Sequence, residues 1–365
     1  MTEKKRPTIN DVARAAGVSK ATVSAVINDT GSVRSSTRER VLAVIEQLNY
    51  RPSSQARHAN ARRHRSIGLL IREADNPFFA EVIAGVRSYA AQRGYTVLVA
   101  SSEGDYDAER QAVEVLRERD VDGLILYPVL TKETDLSHLF ELKRRNFPFI
   151  LLEEIWGVQA SLIDIDNAAA SRRAVEYLIS LGHTRIVHFA GPQYSMHSKE
   201  RIEGVYRAFG GSRIAFAEDA IVPAGARLED GYRAGLEYFG SRDGDERPTA
   251  VTCYNDLVAL GLCRALAELG LRVPEDVSVI GYDDLEILNY LPVPLTSVRV
   301  PKFEMGEQAA KLLIEHIESR EVLRPQKIYL EGELVIRRST QPPRESGLDP
   351  AVAMDHGGAA KRVVR

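Results

Sequence analysis

Cysteine is nearly absent from this 365-residue chain: only Cys253 and Cys263 occur, at a spacing that fits neither a zinc site nor a disulfide framework. Both read as buried thiols packing as small hydrophobes. No run of about 18 apolar residues exists, and the polar, basic N-terminus has no apolar signal core. A membrane span and export are therefore not expected, and the expected compartment is the cytoplasm. Also missing are G-x-G-x-x-G, a P-loop, G-x-S-x-G and any metal-ligand cluster, so neither a cofactor nor enzyme chemistry of those kinds is expected.

Net charge is small as well, −3 for the whole chain, but it is unevenly spread. Residues 1–65 carry 13 Lys or Arg against 5 Asp or Glu, a balance of +8, which leaves the remainder at −11. A basic head on an acidic body suits contact with nucleic acid at one end and repulsion of phosphate elsewhere. The length calls for two or three domains with a sizeable core.

Within the basic head, Thr8 to Asn28 reads TINDVARAAGVSKATVSAVIN and has the stop and start signals of a helix-turn-helix. Thr8 can N-cap a first helix with Asp11 near its positive end. Gly17 ends that helix in the left-handed conformation, Val18 plugs the gap and Ser19 caps a second helix. There Val23, Val26 and Ile27 share a buried face, leaving Lys20, Ala21, Thr22, Ser24 and Ala25 outward. That small, weakly basic face can approach base edges in a major groove. The same spacing also fits an ordinary helical hairpin.

A third helix is expected from Thr37 to Tyr50, started by a capping box of Ser36 and Glu39. Residues 51–65, RPSSQARHANARRHR, have no apolar face; a helix this short is marginal alone and reads as a linker that folds against DNA and a second subunit. From Ser66 the pattern becomes α/β. SIGLLI, YTVLVAS, VDGLILY, FPFILLE and TRIVHFA read as strands buried on both faces. A second series follows, with helices near 198–209, 230–239 and Asp256–Leu269 and strands TAVTCYN and VSVIGYD. Two such halves imply a bilobed body whose ligand lies beyond the carboxyl ends of the strands.

These residues resemble the LacI/galactose repressor family of bacterial transcriptional regulators. The matching strings are the helix-turn-helix, TRERVLAVIEQLNYRP, DNPFF at 75–79, DIDN at 164–167, LGHTRI at 181–186, RIEGV at 201–205, YNDLVALG at 254–261, LRVPEDVSVIGYDD at 271–284 and PLTSVRVP at 294–301. The resemblance implies a headpiece over residues 1–51, a hinge over 52–65 and a periplasmic-binding-protein-like domain of two Rossmann-like parallel-sheet lobes over 66–340. One lobe would hold 66–165 and about 297–325, the other 166–296 and 326–340. It also implies a homodimer on palindromic operator DNA. The tail 341–365, rich in Pro, Gly and Ala and without leucine heptads, is expected to be disordered and to form no tetramer helix.

Carried over by position, the resemblance places operator contacts on Thr8, Lys20, Ala21, Thr22, Ser24, Ala25 and Asn28, and hinge contacts on Arg57, Ala59 and Asn60. Ala25 stands where several relatives have arginine, which removes a bidentate donor to guanine. Ala59 stands where relatives place a leucine that wedges into the minor groove, and a methyl group cannot unstack a base step in that way. Ligand contacts fall on Phe79, Glu153, Arg201, Asn255 and Asp283, a set of carboxylates, amide, guanidinium and aromatic ring that suits a sugar or related polyol. Four of the five have a structural alternative: Phe79 as lobe core, Arg201 with Asp283 as an ion pair, Asn255 as a helix cap. His197 and Lys199 are candidates for a phosphate or carboxylate on the ligand. The expected function is a repressor under small-ligand control, the alternatives being a nucleobase or phosphoprotein effector, a solute-binding transport protein, or an enzyme pairing Glu153 with Asp283.

Overall fold

A computed structural model describes residues 8–27, 33–48, 64–131, 135–242, 244–319 and 324–344. Three helices open it: α1 (Ile9–Ala16), α2 (Lys20–Ile27) and α3 (Ser35–Gln47). The start of α1 is closed by Asp11, whose carboxylate accepts the Thr8 backbone N–H at 2.8 Å and the Thr8 hydroxyl at 2.6 Å. Its end is closed by Gly17 at φ +64°, the left-handed turn that only glycine adopts without steric cost. Ser19 Oγ accepts the Thr22 N–H at 3.1 Å and so starts α2. Val12, Ala16, Val23, Val26 and Val41 form a separate small core. The expected Ser36–Glu39 capping box is corrected: α3 begins at Ser35, and the Arg34 carbonyl accepts from Thr37 and Arg38, which leaves Ser36 inside the first turn.

The larger body is built on two six-stranded sheets. The first contains β1 (Ser66–Ile71), β2 (Thr96–Ser101), β3 (Leu124–Leu126), β4 (Phe149–Leu151), β5 (Ser161–Ile165) and β11 (Lys327–Leu330), in the order β11-β5-β4-β3-β1-β2, all parallel. The second contains β6 (Ile186–Ala190), β7 (Ile221–Pro223), β8 (Ala250–Cys253), β9 (Ser278–Asp283), β10 (Thr296–Arg299) and β12 (Glu333–Val335), in the order β12-β10-β9-β8-β6-β7. Here β12 alone runs antiparallel to its neighbour. The apolar runs read as strands are strands, with one correction. YTVLVAS is not buried on both faces: β2 is the sheet edge, and Val99 is 45% exposed.

Helices α4 (Phe78–Gln92), α5 (Tyr106–Glu118), α6 (Ser137–Arg144) and α11 (Lys302–Glu318) accompany the first sheet; α7 (Asn167–Ser180), α8 (Met196–Gly210), α9 (Leu228–Gly240) and α10 (Asp256–Glu268) accompany the second. Helices α4 and α11 press together at reciprocal glycines: a Cβ on Gly85 would run into the Phe303 carbonyl, and one on Gly306 into the Val82 carbonyl.

The chain passes between lobes three times: after β5, after β10, and between β11 and β12. Lobe boundaries expected near 297 and 326 are therefore shifted. Residues 296–299 pair with β9 in the second sheet, and 327–330 pair with β5 in the first, so the later crossings lie at 300–301 and 331–332. The expectation of disorder from Gln341 onward is also corrected for its first residues. The Gln341 carbonyl accepts from Ser278 Oγ at 3.1 Å, and Arg344 pairs with Asp276 at 2.8 Å. Residues 345–365 lie outside the described residues.

Candidate functional site

Carboxyl ends of strands from both sheets face one another across the crossings. Arg72 follows β1, Tyr127 follows β3, Glu153 lies just beyond β4, Tyr254 and Asn255 follow β8, and Asp283 ends β9. Parallel sheets put loops and helix N-termini at this end, which is why polar side chains collect there. With Phe79 from α4, and His197 and Arg201 from α8, these elements enclose a cavity of about 40 Å3. Many of the side chains around it are hydrogen-bonded to one another.

On one side of that network Arg201 lies 3.6 Å from the Tyr282 ring centroid and 4.6 Å from that of Tyr254. Its Nε donates to Asn167 Oδ1 at 3.0 Å, and Nη1 donates to the Tyr254 carbonyl. Tyr282 donates to the same Asn167 oxygen at 3.0 Å. A stacked guanidinium in this setting is held in one plane. Asp283 sits at φ +114° and Asp284 at φ +56°, a turn that side-chain-bearing residues rarely adopt. Lys302, 2% exposed, steadies the turn by donating to both carbonyls at 2.6 and 3.1 Å. Burial pushes the Asp283 carboxyl up to about 6 even though Arg201 and Lys302 oppose it.

Across the cleft Arg72 pairs with Glu153 and stacks 4.6 Å from the Tyr127 ring centroid. Glu153 is fully buried and accepts from Ser195 Oγ at 2.8 Å and the Met196 N–H at 2.8 Å. Burial alone would raise its pKa; His197 and Arg72 outweigh that and hold it at about 2. The His197 ring is 2.8 Å from Asp164 Oδ1 through Nε2 and 2.9 Å from the Tyr127 hydroxyl through Nδ1.

In the headpiece, Lys20 and Ala21 are exposed on α2, with Thr22, Ser24 and Ala25 half-buried beside them. Val23 and Val26 face the core, so the outward set is the one available to a groove. Thr8 is exposed at the start of α1. Asn28, Arg57, Ala59 and Asn60 lie outside the described residues.

Residues 8–53 match the model of bacterial regulatory proteins of the lacI family, and residues 175–340 match a periplasmic binding protein-like domain. The HTH-type transcriptional repressor PurR of Vibrio vulnificus is 38% identical over 335 residues, covering 90% of this chain and 97% of that protein. The chain belongs to the LacI family of transcriptional repressors. Among solved structures this LacI-family repressor resembles the transcriptional regulator CelR–cellobiose complex, with a TM-score of 0.69 and 32% identity over 92% of this chain and all of that one. It also resembles the lac repressor dimer bound to operator and the anti-inducer ONPF, with a TM-score of 0.68 and 29% identity over 92% of this chain and all of that one. Its relatives are DNA-binding repressors, not enzymes. No helix among the described residues is long and apolar enough to cross a membrane.

The repressor's cleft brings together four of the five residues expected to touch ligand: Phe79, Arg201, Asn255 and Asp283 line the cavity. Glu153 does not line it; its two oxygens are taken by Arg72 and by the start of α8 in the other lobe. Asn255 is a cap as well as a lining residue: Oδ1 accepts the Val258 N–H at 2.9 Å and Nδ2 donates to the Ala226 carbonyl at 2.8 Å. Phe79 also packs into the first lobe, edge-on to Phe78 and Tyr127 with centroids 5.2 and 5.1 Å away. His197 is 2% exposed and internally bonded, whereas Lys199 is exposed. Sequence reasoning missed Arg72, Tyr127, Asp164, Asn167, Tyr254 and Tyr282 as members of this network. The strand-end rule does point to Tyr127 and Tyr254, each of which directly follows an apolar strand.

Proposed function

We propose that the operator affinity of this repressor is set by a small polar ligand held between the lobes, and that two copies bind one palindromic operator. The observation that carries this is the convergence of Phe79, Arg201 and Asp283 on one cavity at the lobe crossings. A ligand touching both sides biases the angle between lobes, and the linkage between ligand and operator is then reciprocal.

For the ligand we favour a nucleobase over the sugar expected from sequence. Relatives named PurR, similar over about nine-tenths of the chain, support the nucleobase branch of the family. A flat heterocycle would offer its faces to aromatic rings and its edge donors and acceptors to Asp283 and Arg201. The sugar is the second reading, supported by the CelR complex with cellobiose and by Ala226, a cavity residue with no ring to stack on a flat ligand. Operator titrations in the presence of hypoxanthine, guanine, cellobiose or ribose decide between them. A base that shifts operator affinity by about fivefold or more supports the first reading, and a shift with a sugar alone supports the second. Binding in the cleft with no change in operator affinity would overturn ligand control.

A further inference from the structure

The start of α8 belongs to the second lobe, yet its polar groups are held by the first. Glu153, beyond β4, accepts from Ser195 Oγ, Met196 N–H and, at 3.4 Å, His197 N–H. Asp164, in β5, and Tyr127, after β3, hold the two ring nitrogens of His197 at 2.8 and 2.9 Å. The imidazole is thus clamped between lobes, 3% exposed at its side chain. Opening the cleft would draw the start of α8 away from Glu153, Asp164 and Tyr127, its three partners in the first lobe.

Charge around this clamp is unbalanced. Facing or adjoining His197 are the carboxyl groups of Glu153 and Asp164 in the first lobe, and those of Glu200 on α8 and Asp283 at the end of β9 in the second. Against these four stand three cations, the guanidiniums of Arg72 after β1 and Arg201 on α8 and the Lys302 ammonium beside Asp283; Tyr127 contributes a neutral phenol. Buried charge of one sign in excess is costly, and a proton on His197 offsets part of it where two carboxylates are close enough to share its field. We propose that closing the cleft takes up a proton carried by His197, so that the balance of closed and open forms follows pH. The inference rests on the reading of the cleft as the controlling site.

The sign follows from the contacts. Burial lowers the pKa of His197 in the closed form, but Asp164 and Glu153 outweigh burial and the net direction is up. In the open form, away from those carboxylates, the ring returns toward its ordinary value near 6.5. Closure is therefore favoured most at low pH and is lost as pH rises through the closed-form value. Glu200, raised to about 7 by burial and then by Asp164, acts in the same direction.

The test uses the full chain with spin labels at Asp75→Cys and Arg227→Cys, two exposed rim residues whose side chains meet across the cleft mouth at 3.8 Å. Cys253→Ala and Cys263→Ala remove the native thiols. Distances between labels measured from pH 5.5 to 9 should move from short to long, the closed-to-open ratio changing by up to about tenfold per pH unit for one proton. His197→Gln should reduce this dependence, leaving the share carried by Glu200. Asp164→Asn, which keeps the imidazole and removes the charge facing it, should reduce it as well and covers the case in which His197→Gln does not fold. A distance that stays constant with pH in the parent, or variants that follow the parent's course, overturn the proposal. A shift in distance with no change in operator affinity upholds the clamp and counts against the controlling role of the cleft.

Discussion

His188 shows at the scale of one residue how the interior resists protonation. It lies in β6, 1% exposed, with Nδ1 3.0 Å from the Thr252 hydroxyl and Nε2 unpartnered among the described residues. Burial, reinforced by the nearby charge of Arg201, pushes it down to about 3, and burial takes His183 to about 4. Both values lie below the ordinary 6.5, so the unfolded chain binds these protons more tightly than the folded one. As pH drops from 6.5 toward 4 these two histidines should lower the unfolding free energy measured in urea by an amount on the order of a few kcal/mol, against the opposite contribution of the raised Asp283 and Glu200 carboxyls, so their share is read as the difference between parent and variant. His188→Gln should remove part of that slope; an unchanged slope would show that the loss arises elsewhere.

Helix pairs set the next scale. Gly85 and Gly306 let α4 and α11 approach backbone to backbone, and α4 carries Phe79 into the cleft. Gly85→Ala places a methyl group against the Phe303 carbonyl, so the helices must part. The expected cost is about 1–3 kcal/mol, read as a lowered melting temperature, with weaker binding of any cleft ligand because Phe79 shifts as well. What the sequence reveals at this scale depends on reach. Thr8, Gly17 and Ser19 act on groups within about one helical turn, and Asn255 caps the helix that follows it, so these are legible from local pattern. Glu153 is not. Its partners Arg72 and Ser195 are 81 and 42 residues away, and only the folded sheets bring them together. Family position placed Glu153 near the ligand, but the arginine and the helix start that occupy it lie far from it in the chain. The α3 start failed for a local reason, because Ser35 and Ser36 offer adjacent candidate caps and the Arg34 carbonyl begins the helix instead.

Over the whole molecule, charge separates the two tasks. The first 65 residues carry +8 and the rest −11, which concentrates phosphate attraction at the headpiece. Operator affinity should fall steeply with salt, log K declining linearly against log salt with a slope of about −0.9 per phosphate contact. A flat response in a titration from 50 to 200 mM salt would overturn the basic head as the DNA-binding surface. The three lobe crossings have a mechanical consequence. They run side by side, because β5 pairs with β11 and β10 pairs with β12. Sliding one lobe along the other would shear all three strands, and pulling the lobes apart would stretch them. Twisting about the line they share only bends them. The joint thus behaves as a hinge of nearly one degree of freedom, and under the proposed control a ligand of any shape would reach the headpiece as a single number, an angle.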